Sequence, residues 1–425
     1  MACLRSDAVN RRRPASLIGW LSALALVVGA CDGAPPPPKT AGPAEPASAA
    51  AAPPTPAPPS DAAAAGATPA AMPPGPTSRP PATTREEAAA ASRPAAKASA
   101  KPPGPETKIA ILLGSSGRGD KSFSDAALAG IDAAKKHGRI RVAEYQPARG
   151  DDYGAIIDRH LAEGAELVIG VGFLYEAPFR AASARHPAAR FLLLDVALPD
   201  APNVKSVTFR GDEGSFLAGA VAVGETTRGV VGFVGGMSLP VIRQFECGWQ
   251  TGVWWATKEQ FKLVKGSIVY LGETPAAFTD PAEGEARANE LINDKKVDVL
   301  YAAAGASGLG VIEAARRAKI KAIGVDTDQS HLARDVVVTS MRKRLDRAVE
   351  TAIADVRRGS FQGGVVEMTL ANGGVDLVLP GKLQPATQKL IQKARAGIIA
   401  GSIPVCVKEE ERVPAWNFPP RPQSP

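Results

Sequence analysis

Residues 108–137 read KIAILLGSSGRGDKSFSDAALAGIDAAKKH. The first seven form an apolar run with no polar alternation, which predicts a strand buried on both faces. Gly and Ser then turn the chain, and apolar residues return at helical spacing over 125–137. The same alternation continues with strand-like runs at 140–145, 167–173, 191–196 and 204–209, and helical patterns at 153–163 and 177–186. It restarts at 229–235 (GVVGFVG), followed by runs at 267–271, 297–303, 320–325 and 336–340. Helical patterns at 241–259, 284–293 and 309–318 separate them, and the last part reads helix (346–358), two strands (364–369, 375–379) and helix (385–400). Two tandem series of this kind predict an α/β protein with two doubly wound, Rossmann-like lobes, a hinge and a ligand cleft between them.

The sequence outside this body is of a different kind. Of 38 prolines among 425 residues, 21 fall between Asp32 and Glu106, in Ala/Pro runs with no apolar periodicity. Such a segment predicts an extended tether over 31–106. Before it, Arg5, Arg11, Arg12 and Arg13 precede an apolar run over 16–30, too short for a membrane span but suited to an export signal. The run ends in Val28-Gly29-Ala30-Cys31, which resembles a bacterial lipobox, so Cys31 is the expected lipidation site after removal of 1–30. Asp32 resembles an inner-membrane retention signal, which makes the outer face of the inner membrane the expected location. The formal charge of +7 leaves the body nearly neutral, because residues 1–106 hold 10 Lys/Arg against 7 Asp/Glu and the remainder 40 against 36. A nucleic-acid-binding domain is therefore not expected. Of the cysteines, Cys247 and Cys406 fall in the body; an exported pair can form a disulfide, but two separate buried thiols is the expectation.

Chemistry-bearing motifs are few. Gly114–Ser122 (GSSGRGDKS) follows a strand and precedes a helix, as a P-loop does, but Asp120 interrupts the Gly-Lys-Ser order and brings negative charge where phosphates would lie. It reads better as a ligand-facing loop. Gly305-Ala-Ser-Gly308-Leu-Gly310 fits dinucleotide spacing poorly; its glycines suit close approach of a ligand or helix. His137, His160, His186 and His331 are scattered and read as solvent-facing. No HExxH, CxxC or GxSxG occurs. These motifs give no positive support to hydrolase, nucleotide or zinc chemistry, and neither catalytic residues, metal nor cofactor is expected.

Several ordered motifs carry a resemblance. They are Asp120-Lys-Ser-Phe-Ser-Asp125, Phe233-Val-Gly-Gly-Met237 with Arg243-Gln-Phe-Glu246, Ala303-Ala-Gly305 with Gly308, Ile323-Gly-Val-Asp326, and Thr339-Ser-Met-Arg-Lys343. Together they resemble the basic membrane protein (PnrA-like) family of ABC-transporter substrate-binding lipoproteins, over about 108–405. The resemblance implies the type I periplasmic binding protein fold, a nucleoside-like ligand (the family binds purine nucleosides) and an ABC permease as partner. It also implies residue roles. Asp326 would accept from the ribose hydroxyls, since a carboxylate takes two hydroxyl protons well. Lys343 would donate to base or ribose. Phe123 and Phe245 would stack on the base, or simply pack in the core. Ser124, Asp125, Phe173, Tyr175, Gly236, Met237 and Gly305 complete the expected site. This sequence departs from the family at Ser124 (for Asn), Leu128 (for an aromatic ring) and Ala177 (for Asp), with Glu176 a substitute for that acid.

The lobes are expected to divide as 107–211 plus 340–365 and 212–339 plus 366–405, with an extended tail at 406–425. The rival reading is a sensory lipoprotein of the same fold that engages a receptor rather than a permease.

Overall fold

The computed structural model describes residues 106–379 and 383–407. The expected signal, Cys31, the tether and most of the tail lie outside the described residues. Strands β1 (Thr107–Leu112), β2 (Ile140–Tyr145), β3 (Leu167–Val171), β4 (Phe191–Leu194) and β5 (Val204–Phe209) come first. Then follow β6 (Val230–Gly235), β7 (Lys265–Tyr270), β8 (Val299–Ala303), β9 (Lys321–Asp326) and β10 (Val337–Lys343). The chain ends with β11 (Gly364–Met368) and β12 (Val375–Val378). They form two six-stranded sheets, ordered β11-β5-β4-β3-β1-β2 and β12-β10-β9-β8-β6-β7. Every pairing is parallel except β10 with β12.

The helices are α1 (Phe123–Lys135), α2 (Tyr153–Ala162), α3 (Glu176–Arg185), α4 (Gly211–Glu225), α5 (Pro240–Gln260), α6 (Pro281–Asn293), α7 (Ser307–Ala318), α8 (Leu345–Arg358) and α9 (Pro385–Ile399). Helices on both faces explain the continuous apolar strands: β3, β4 and β8 are buried along their whole length.

The chain passes between the sheets three times, after β5, after β10 and between β11 and β12. The expected boundaries at 340 and 365 fall inside β10 and β11. The crossovers follow the strand ends instead, because a strand that changed sheets midway would break its ladder.

Helix α4 escaped the periodicity reading. Fourteen of its fifteen residues are buried, so it has no polar face to generate a repeat. It lies tightly against α5. A Cβ on Gly252 would come within 2.1 Å of the Phe216 carbonyl oxygen, and one on Gly248 within 2.2 Å of the Asp212 oxygen. Only glycine admits backbones this close.

Two expectations are corrected. Cys247 and Cys406 are joined in a disulfide, their Cα atoms 5.3 Å apart across 159 residues of sequence. The segment after α9 returns to α5, where the Val407 amide also donates to Thr251 Oγ1 at 3.1 Å. Sequence separation carried no information about this return. His160 is buried on the inner face of α2, not solvent-facing.

Candidate ligand cleft

Because the strands run parallel, the C-terminal ends of each sheet collect at one edge, and the loops there bear the cleft. The first is the loop between β1 and α1. Its Asp120 carboxylate is buried and accepts from the backbone amides of Ser122 (2.9 Å), Ser124 (2.9 Å) and Asp125 (3.1 Å), and from Ser116 Oγ (2.7 Å). Asp120 thus caps α1 and takes up the amides that a P-loop would give to phosphate.

On the other lobe, Asp326 ends β9 in a left-handed conformation (φ +63°). Its Oδ2 accepts from Ser122 Oγ at 2.6 Å, joining the lobes. Beside it, Thr327 Oγ1 and Gln329 Nε2 both donate to the Lys121 carbonyl, at 2.8 and 2.9 Å. Lys343 ends β10 and is 3% exposed. Its ammonium lies 2.6 and 2.8 Å from the two carboxylate oxygens of Asp195, the residue after β4. Three ring centroids surround it, Phe245 at 4.6 Å and Phe123 and Phe209 at 5.4 Å. Burial pushes the Asp326 carboxyl up to about 6; Lys343 and the Ser122 hydrogen bond pull it down, while Asp195 and Asp120 push it further up.

Of these, Asp195, Asp326, Lys343, Phe123 and Phe245 line one cavity, partly open to solvent. Of the expected site residues, Phe123, Phe173, Phe245, Gly305, Asp326 and Lys343 stand on its wall. Phe173 faces Phe278 across the cleft at 6.2 Å between centroids. Gly305 turns the chain at φ +54°.

The other five lie elsewhere. Tyr175 is wholly buried beneath the loop, its hydroxyl donating to the Leu113 carbonyl at 2.5 Å. Asp125 braces its own loop, accepting from the Gly119 and Lys121 amides at 2.8 and 3.1 Å. Gly236 seats Phe278: a Cβ there would meet Phe278 Cε1 at 2.3 Å. Met237 packs against the core. Ser124 is buried behind Gly114, and its hydroxyl has no protein partner. Glu176 does not substitute for the missing acid. It is exposed and faces Arg180 at 3.8 Å, and Ala177 is exposed beside it.

Ser115 and Ser116, of the loop read as ligand-facing, also line the cavity, as do Asp195, Phe278, Leu174 and Ile242, which were not anticipated. Asp195 had a signal: FLLL-Asp195 and AIGV-Asp326 are both acids closing an apolar strand. Phe278 sits in a short turn (Pro275–Phe278) with no periodicity to mark it.

Two α/β lobes around one cleft define the type I periplasmic binding class. An ABC transporter system solute-binding protein from Aeropyrum pernix K1 shares the fold with a TM-score of 0.64 and 27% identity, covering 69% of this chain and 92% of that one. A solute-binding protein from Conexibacter woesei shares it at a TM-score of 0.56 and 23% identity, over 73% and 99%. The family described as ABC transporter substrate-binding protein PnrA-like matches residues 107–409, and the chain belongs to it. Its relatives include the protein named ABC transporter nucleoside-binding protein BmpA in Lactococcus lactis, 30% identical over 71% of this chain and 89% of that one. Basic membrane protein A of Borreliella burgdorferi is 29% identical over 61% and 76%. An uncharacterized lipoprotein of Pyrococcus furiosus is 32% identical over 64% and 70%. The chain is thus an ABC transporter substrate-binding protein, of a family that carries small molecules to a permease and is not an enzyme family. Among the described residues no helix is long and apolar enough to cross a membrane, and no cluster of His, Cys, Asp or Glu suits a metal ion.

Proposed function

We propose that this protein captures a nucleoside-like ligand between its lobes and presents it to a permease from the outer face of the inner membrane, held there by a lipid on Cys31. The observation that carries the ligand reading is the buried Asp326 carboxylate beside Lys343, walled by Phe123 and Phe245. A vicinal diol donates two hydrogen bonds, which a carboxylate accepts, and flat rings suit a base. The name of the Lactococcus relative supports the same ligand class. Asp326, Lys343, Phe123, Phe173, Phe245 and Gly305 are the proposed contacts. Contacts on both lobes favour closure, and the closed form docks on the permease. The anchor is supported by the lipobox-like run ending at Cys31 and by the lipoprotein relative in Pyrococcus.

Isothermal titration of the purified protein against purine and pyrimidine nucleosides tests the ligand. Binding by at least one, lost in Asp326→Ala, is expected; no heat with any at concentrations far above micromolar rejects the nucleoside. Labelling with a radioactive fatty acid in cells, lost in Cys31→Ser, tests the anchor.

A further inference from the structure

Three charged side chains stand on the cleft wall: Asp195, Asp326 and Lys343. A lysine this buried needs a partner. Asp195 is that partner, with both of its oxygens within 2.8 Å of the ammonium, whereas Asp326 takes its hydrogen bond from Ser122. Asp195 reaches this position from the opposite lobe and with φ +69°, in the left-handed region that residues with a Cβ rarely adopt. The rings of Phe123, Phe209 and Phe245 surround the ammonium, and their electron-rich faces favour a cation and repel an anion. With both acids ionised, one lysine against two aspartates leaves the wall at a net charge of −1.

We propose that Asp195 is a specificity-determining residue: it cancels the charge of Lys343 and so sets the cleft against anionic ligands, the phosphorylated form of its own ligand included. This rests on the nucleoside reading only for the choice of probes. In the full chain, wild type should bind adenosine or uridine at least a hundredfold more tightly than the matching 5′-monophosphate. Asp195→Asn raises the net charge to zero and should narrow that ratio tenfold or more. The double variant Asp195→Asn/Lys343→Gln returns the wall to −1 and should restore the ratio to within about threefold of wild type. An unchanged ratio in the single variant, or a narrowed one in the double, overturns the proposal; the double variant decides alone where the single fails to fold.

A measurement without ligand separates this proposal from the nucleoside reading. The Asp326 carboxyl, followed by ¹³C NMR, faces Lys343, Ser122, Asp195 and Asp120. Removing the Asp195 charge should lower its titration midpoint; a midpoint that stays or rises overturns the proposal. If neither nucleoside binds wild type, the nucleoside reading falls and this titration alone decides.

Discussion

The cleft has two unlike halves, and sheet order explains the difference. Asp195, Asp326 and Lys343 close β4, β9 and β10, the strands beside the crossovers that hinge the lobes. Gly114, Phe173 and Gly305 follow β1, β3 and β8, farther out in each sheet, and Phe278 follows β7 at the edge. The hinge half thus bears the charges, set among the rings of Phe123, Phe209 and Phe245, while the outer half bears Phe173, Phe278 and glycines and no charged side chain. Groups beside the crossovers would be displaced least by a hinge rotation of the lobes, so their geometry would vary little on closure. Surfaces farther from the crossovers would be displaced most, and apolar contacts tolerate this better than directional bonds. A ligand with a hydroxylated end and a flat end would therefore lie with its hydroxyls toward the hinge.

Substitutions can break this contrast, beginning with the largest effect. Lys343→Met leaves the buried Asp326 and the half-buried Asp195 without a cation, and should destabilise the fold by about 3–5 kcal/mol in chemical denaturation. A cost below 1 kcal/mol would show the hinge half to be wetter than its burial implies. Asp326→Asn should act in the opposite direction. Its folded-state pKa of about 6 lies above the ordinary 3.8, so the folded chain holds the extra proton and stability falls as pH rises from about 4 to 6. Above that window the ionised acid costs about 3 kcal/mol, which asparagine removes. The variant should therefore unfold at higher denaturant at pH 7.5, lose that pH dependence, and bind no diol. Wild-type stability that rises over pH 4–6, once other carboxyls are matched by the variant, would contradict this sign.

The outer half should respond more weakly. Phe278→Ala removes one ring of the facing pair and should weaken ligand about tenfold, a loss of roughly 1.4 kcal/mol, read by titration calorimetry. Glu176→Gln should change neither affinity nor stability by more than about 0.5 kcal/mol, because that residue is exposed outside the wall. A tenfold loss of ligand there would return Glu176 to the site.

The balance of what was legible follows the same physics. Strands buried on both faces and helices with one apolar stripe announce themselves by period, and most elements were read from it. Helix α4 was missed because burial on every side removes the period itself. Asp326 and Lys343 were legible as motif residues, and Asp195 could have been, from the repeated pattern of an acid ending an apolar strand. Tyr175 and Asp125 could not be sorted from true wall residues, since a motif places a residue near a loop without saying which way it points. Phe278 reaches the wall only because Gly236 leaves it room.

The chain alone determined the two α/β series, the break between the proline-rich segment and the body, and the family motifs, because each is a local pattern or an order along the sequence. Only the tertiary structure decided the pairing of Cys247 with Cys406, the pairing of Lys343 with Asp195 across the cleft, and the bond from Ser122 to Asp326. Those contacts join positions 159, 148 and 204 residues apart. Distance along a chain sets no distance in space until packing has closed the loops between.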